Sequence, residues 1–312
     1  MPKPGDFKMY KSLQIIFVSF SLGLIAQLMR QWPSNRLQVI FCDVGQGDAI
    51  LIQYGFWQML VDAGANDQVL DCLSQNMPFW DKTLELVVVT HTDHDHIGGI
   101  SDVLANYQVQ QILLADTGES EGFKKMLTEM KSDKQRLAVV KNAFLGQMIS
   151  FTSGGKLYLL GPEFGNLSCC ECLASEFSET LLSDAEQLGS VTTDSPNERS
   201  IILLLKYYQF DLLLMGDASQ QNELALIDKG LIDKIEVLKV GHHGSKTSTH
   251  ESFVKTTLPE KAVISCGYNN KFSHPSPEVL QILLENNAKI LRTDELGTIK
   301  LETNGYYYWI AN

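Results

Sequence analysis

The sequence predicts an α/β chain in which two β-sheets pack face to face with helices on both outer sides, an αββα sandwich. Three observations carry this. Short apolar runs of strand length alternate with amphipathic stretches of helical period. Two loosely similar halves each contain hairpin-like strands that end in Asp-Ala, LVDAG at Asp62 and LMGDA at Asp217. Ligand-type residues gather where apolar strands end, above all in THTDHDHIGG, residues 90–99. Two sheets with helices outside bury both strand sets.

The elements follow in order. SLQIIFVSFSLGLIAQLM, Ser12 to Met29, carries no charge, with Lys3, Lys8 and Lys11 before it and Arg30 after. As a helix its eighteen residues would span roughly 27 Å, just short of a hydrocarbon core of about 30 Å. A membrane anchor, a signal peptide and a buried helix are the three readings, in that order. Residues 1–36 are therefore expected to be an anchor or signal segment plus the linker QWPSNR. The lysine bias puts the remainder outside the cytoplasm. From Leu37, LQVIFC, AILIQY and WQMLVDAG read as strands joined by glycine turns, and residues 66–76 as a helix. LELVVVT is a buried strand, followed by a helix from Ile97, a strand at QQILLAD, a helix over residues 121–132 and a strand at LYLLGP. Residues 163–198 hold eight acidic side chains, no lysine and, before Arg199, no arginine, and include CCEC. They read as an acidic insertion in a domain running from 37 to 312. Strands resume at SIILLLKYY, FDLLLMGDA, IEVLKVGHHGS, KAVISCGYN, AKILRTD and GTIKLET, with helices near residues 220–229 and after Pro277.

Composition narrows the function. The chain has 312 residues, 44% hydrophobic and 20% charged, with net charge −12, so it is not a generic basic nucleic-acid binder. Six cysteines are too few for a disulfide scaffold at this length. Imidazole together with carboxylate is the usual ligand set of divalent transition metals. HTDHDH supplies both at the end of a core strand, where a rigid element can hold them facing a cleft. Asp62 and Asp217 end strands in the same way, and GHHGS, residues 241–245, adds His242 and His243.

These motifs resemble the metallo-β-lactamase superfamily, whose signature is H-x-H-x-D-H followed by Gly-Gly. The resemblance implies a four-layer αββα fold and the metal ligands His91, Asp93, Asp95, His96, Asp217 and His243. It implies a supporting role for Asp62, and a proton-donor or supporting role for His242. His94 falls on a spacer position that points away. Asp93 stands where the signature has histidine, which shifts the first site from Zn²⁺ toward Mn²⁺ or Mg²⁺. No histidine lies between His96 and His242, and Asn197 stands in the interval where one is usual. DVGQGDAILI, THTDHDHIGG, NERSIILLL, LLLMGD, LKVGHHGSKTS and HPSPEVLQIL together resemble the C-terminal hydrolase-like domain of ComEC-type DNA-uptake proteins.

The resemblance implies a hydrolase with one or two Zn or Mn ions, acting as a phosphodiesterase or nuclease on DNA. Asp95 would orient the attacking water and His242 would protonate the leaving oxygen. Ser245, Lys246, Gly45 and Gly47 are candidates for phosphate contact, although a helix cap and a tight hairpin turn account for them equally well. The expected setting is a bacterial membrane, with the hydrolase domain outside the cytoplasm and associated with a DNA-uptake apparatus. The alternatives are hydrolysis of another ester or a lactam, and a non-catalytic nucleic-acid-binding or scaffolding module with a partial metal site.

Overall fold

The computed structural model describes residues 13–23, 29, 32–114, 121–132, 138–143, 145–152, 154–161 and 196–311. The first sheet has eight strands: β1 (Leu37–Phe41), β2 (Ile50–Tyr54), β3 (Trp57–Val61), β4 (Thr83–Val89), β5 (Gln108–Leu114), β6 (Val139–Asn142), β14 (Ile299–Thr303) and β15 (Tyr308–Ala311). Its order is β15-β14-β1-β2-β3-β4-β5-β6. The second has seven: β7 (Met148–Thr152), β8 (Gly155–Gly161), β9 (Ile202–Tyr207), β10 (Phe210–Leu214), β11 (Val237–Lys239), β12 (Lys261–Ile264) and β13 (Lys289–Arg292), ordered β13-β12-β11-β10-β9-β8-β7.

Three apolar layers account for the sandwich. Val39 and Phe41 of β1, Leu86 and Val88 of β4, and Leu212 and Leu214 of β10 point between the sheets. Ile40, Val87 and Val89 point outward, beneath helices α1 (Gln68–Asn76), α3 (Ile100–Asn106) and α4 (Glu121–Ser132). Leu213 and Met215 point outward on the other side, beneath α5 (Gln220–Asp228), α6 (Glu251–Thr257) and α7 (Pro277–Glu285). Strands covered on both faces need apolar residues at every position. That is why LELVVV and FDLLL read as continuous runs rather than alternating ones.

β3 pairs parallel with β4, and β10 with β11. The residues that follow these strands, Asp62, His91, Asp217 and the pair His242–His243, therefore emerge at carboxyl ends.

Some local features differ from expectation. The helix anticipated from Ile97 is split into α2 (His94–Ile97) and α3. A Cβ on Gly98 would lie 2.3 Å from the Ala65 carbonyl oxygen, and one on Gly99 2.3 Å from that of Ala63. The chain has to pass this close to the loop after β3, and the helix breaks there. Strands β6, β7 and β15 and helix α6 were not marked by any pattern; β6 and β15 are four-residue strands at the outer edge of their sheet. Most of the acidic 163–198 segment, with CCEC, lies outside the described residues. Its end, Pro196–Arg199, is a 3₁₀ turn. Residues 13–23 are helical, and Ile15, Ile16, Phe17, Phe20 and Leu22 on that stretch are exposed. Among the described residues no helix is long and apolar enough to cross a membrane.

Among the described residues a disulfide, Cys42–Cys72, ties the end of β1 to α1 across thirty residues of sequence. Both cysteines are buried in the layer beneath that helix. No short spacing announced it, because only the fold brings the two together. Closing a loop of that size restricts the unfolded chain by about 3–4 kcal/mol. The double substitution Cys42→Ala/Cys72→Ala is expected to lower the unfolding free energy by about that amount, read from the midpoint of urea denaturation under oxidising conditions.

Candidate metal centre

The strand ends place three histidine rings so that each turns the same nitrogen to one cleft. Asp62, buried at a left-handed φ of 57°, accepts from the Thr90 amide at 2.8 Å, from Thr90 Oγ1 at 2.7 Å and from His96 Nδ1 at 2.8 Å. His96 therefore carries its proton on Nδ1 and presents Nε2. On His243, Nδ1 lies 3.0 Å from the Ser265 carbonyl oxygen. A carbonyl can only accept, so this ring also donates from Nδ1 and presents Nε2. For His91, Nδ1 is 3.1 Å from Thr90 Oγ1 and 3.3 Å from Ser200 Oγ. The Thr90 hydroxyl already donates to Asp62 and can accept from this ring, so Nε2 again faces the cleft.

The Nε2 atoms of His96 and His243 lie 3.3 Å apart. If both rings are neutral, two lone pairs face each other at that distance. Around them stand Asp217 Oδ1, 3.2 Å from His96 Nε2 and 3.6 Å from His243 Nε2, and Asp95 Oδ2, 3.3 Å from His243 Nε2. Beyond them, His91 Nε2 lies 3.6 Å from Asp93 Oδ2 and 3.8 Å from Asp217 Oδ2. His91 Nε2 and Asp217 Oδ1 are buried without a hydrogen-bond partner. Asp48 Oδ1, beside them, is buried and bare as well, and bare buried lone pairs gathered in one cluster are what a cation would occupy. The donor set of imidazole and carboxylate suits a divalent transition metal.

The electrostatics agree. Burial, joined by the His96 charge, pushes His91 down to about 3, so it is a neutral donor at neutral pH. Burial would lower His243, but Asp217, Asp48 and Asp95 outweigh it and hold the ring at about 9. Burial would raise Asp217, and the His96 and His243 imidazoles hold it well below the carboxylate range. Asp95 is likewise raised by burial but held at about 2 by the His243 hydrogen bond and the His96 charge.

The other expected residues fall as follows. His94 is exposed. His242 Nε2 lies 3.7 Å from Asp217 Oδ2 at the half-open rim, with Asn197 Nδ2 3.5 Å from the same nitrogen. Ser245 is buried, its hydroxyl 3.0 Å from Thr247 Oγ1, and Lys246 is exposed beside it. Gly45 has a φ of 71° and Gly47 one of 131°. The close approach that Gly47 permits is to the loop carrying Asp95, where a Cβ would sit 2.1 Å from the Asp95 carbonyl oxygen.

Two residues were missed. Asp48, Asp217, His96 and His243 each offer a ligand-type atom within 4.8 Å of the others. Asp48, however, faces the Nδ1 side of His243 at 3.5 Å and gives its second oxygen to Lys239 Nζ at 2.7 Å. Its Oδ1 is buried without a hydrogen-bond partner, whereas Asp95 stands on the Nε2 side of the ring. Lys239 is fully buried. The signal for it was a lysine inside the apolar run IEVLKV, which needs a buried partner. Burial alone would raise the Asp48 carboxyl, and the Lys239 ammonium holds it below the ordinary range. A cavity of about 510 Å³ lies elsewhere, lined by Trp57, Glu85, Lys141 and Ile149, with none of these site residues.

Fold and site together define a protein of the metallo-β-lactamase fold. It aligns with the metallo-β-lactamase fold protein YhfI of Bacillus subtilis at TM-score 0.52 and 11% identity, over 88% of this chain and 100% of that one. In sequence the chain is similar to competence proteins. It is 28% identical over 288 residues to ComE operon protein 3 of Bacillus subtilis, covering 86% of this chain and 33% of that protein. It is 27% identical over 296 residues to Recombination protein 2 of Haemophilus influenzae, 93% of this chain and 31% of that protein. Competence protein ComA of Neisseria gonorrhoeae matches at 25% over 289 residues, 89% of this chain and 34% of that protein. The chain thus spans about a third of the length of the curated relatives it matches. No family model matches it.

Two predictions follow from the supports of the site. Lys239→Met leaves Asp48 as an uncompensated buried charge and is expected to cost about 3–5 kcal/mol. Adding Asp48→Asn should recover part of that loss in a double-mutant cycle of denaturant unfolding. Glu223 is buried and accepts from the Thr249 and His250 amides at 2.7 and 2.6 Å, fixing the chain after GHHGS. Burial nevertheless raises it to about 7. A carboxyl raised on folding favours the protonated form, so its support is full below about 4.5 and lost as pH rises through about 7. Glu223→Gln is expected to flatten the fall in stability across that window, measured by unfolding at a series of pH values.

Proposed function

We propose that the chain is a metal-dependent phosphodiesterase, acting on DNA and related to the hydrolase part of competence proteins. The observation that carries this is the convergence of the His91, His96 and His243 Nε2 atoms on Asp217, with buried lone pairs bare. Asp217 turns Oδ1 to the His96–His243 side and Oδ2 to the His91 side, a bridging arrangement. Asp95, His96, Asp217 and His243 would hold one ion, and His91, Asp93 and Asp217 would hold a second. Zn²⁺ or Mn²⁺ suits these donors; such ions polarise a phosphoryl oxygen and lower the pKa of water. Asp95 keeps its carboxylate ionised and partly open to solvent, able to accept a hydrogen bond from an attacking water. His242 stands half-exposed across Asp217, placed to give a proton to the departing oxygen, with Asn197 steadying its ring. Ser245, Lys246, Gly45 and Gly47 would serve as phosphate contacts.

The same reading places the domain, residues 37 to 312, outside the cytoplasm of a bacterium, tethered by the segment before it and associated with a DNA-uptake apparatus. The Cys42–Cys72 bridge supports an oxidising compartment. The exposed apolar side chains of residues 13–23 support contact with a membrane, and the competence relatives support the uptake setting.

Asp95→Ala should lower hydrolysis of bis(p-nitrophenyl) phosphate by about a thousandfold or more, with Mn²⁺ or Zn²⁺ supplied. His94→Ala should change it little. Equal losses would defeat the assignment of inward and outward positions. For His242→Ala the expected signature is full metal content with a lost limb in the pH–rate profile.

A further inference from the structure

Residues 267–276, GYNNKFSHPS, form a loop beyond β12 on the His242 side of the cleft. The His274 ring lies 5.8 Å from that of His242, and Phe272 stacks on His274 at 5.7 Å with 24° between planes. A row of rings therefore leads outward from the candidate site. Phe272 is 52% exposed and Tyr268 86% exposed. Lys271 Nζ stands 4.9 Å from the centroid of the Phe272 ring.

The loop is held in shape without burying these rings. Asn270 accepts from the Phe272 and His274 amides at 3.2 and 3.0 Å and donates to the Gly267 and His274 carbonyls at 3.0 and 2.6 Å. The Gly267 amide donates to Gln46 Oε1 at 3.2 Å, and a Cβ on Gly267 would lie 2.8 Å from the Gln46 amide nitrogen. The loop is thus pinned against the glycine turn that borders the cleft. Two exposed aromatic side chains on a braced loop, one of them beside an ammonium, offer apolar surface next to a positive charge. In a chain of net charge −12 that cation stands on the loop whose His274 ring reaches His242.

We propose that Tyr268 and Phe272 are a stacking platform for the bases of an unpaired nucleic-acid strand, with Lys271 meeting its backbone. Base faces are open to such rings only when the strand is unpaired, and stacking of this kind tolerates any sequence. This rests on the phosphodiesterase reading and names the form of its substrate.

The test is binding of the full chain to a fluorescein-labelled oligothymidylate of about twelve nucleotides, followed by anisotropy with chelator present. An abasic oligomer of equal length and a duplex serve as comparisons. Wild type is expected to bind the thymidylate more tightly than either. Tyr268→Ala/Phe272→Ala is expected to bind it about tenfold or more weaker, with abasic binding little altered. Equal binding of abasic and thymidylate chains by wild type, an unchanged double variant, or no measurable binding would overturn the platform. Hydrolysis of bis(p-nitrophenyl) phosphate by wild type, measured alongside, decides the phosphodiesterase reading separately.

Discussion

The hydrogen bonds that end on Asp62 are the constraint on which the site depends. That one carboxylate sits at the end of β3, takes the amide and hydroxyl of Thr90 at the end of β4, and fixes the His96 ring. It thereby sets the spacing of two adjacent strand ends and the tautomer of a histidine three elements further along the chain. Thr90 relays the same order to His91 through its hydroxyl. The left-handed backbone at Asp62 is a local cost that the surrounding bonds hold in place. Ser265 does the same for His243 from the other sheet. The rings are aimed before any ligand arrives, so the cleft spends little on reorganisation when a cation enters.

Such aiming leaves the fold with an unresolved local repulsion. Two imidazole nitrogens at 3.3 Å must share a proton, take an extra one, or face a cation. The surrounding carboxylates stabilise either form of positive charge. This is why His91, His96, Asp217 and His243 show strongly displaced proton affinities. Metal and proton compete for one set of lone pairs.

Much of this was legible in the sequence, and the limits are instructive. The apolar runs identified the central strands because burial on both faces leaves no polar position. HTDHDH marked a cluster at the end of a core strand, and within it His94 is exposed while His91 and His96 are buried. The short edge strands β6 and β15 were illegible because an edge needs few apolar positions. Cys42 and Cys72, and likewise Asp48 and Lys239, meet only through tertiary packing. No local pattern links residues 191 positions apart, although a lysine in a strand that is otherwise apolar asks for an anion. The Gly47 turn was legible as a close approach, but its neighbour, the Asp95 backbone, was not.

The Asp48–Lys239 pair has a consequence for how the two sheets move. Asp48 belongs to the turn between β1 and β2 of one sheet, and Lys239 ends β11 of the other. Apolar faces in contact can slide over one another at small cost, since one methyl group serves nearly as well as the next. An ion pair sealed from water has one favourable separation and nowhere else to find a partner. It acts as a dowel through the sandwich, resisting shear at the end where the two sets of strand ends must stay in register.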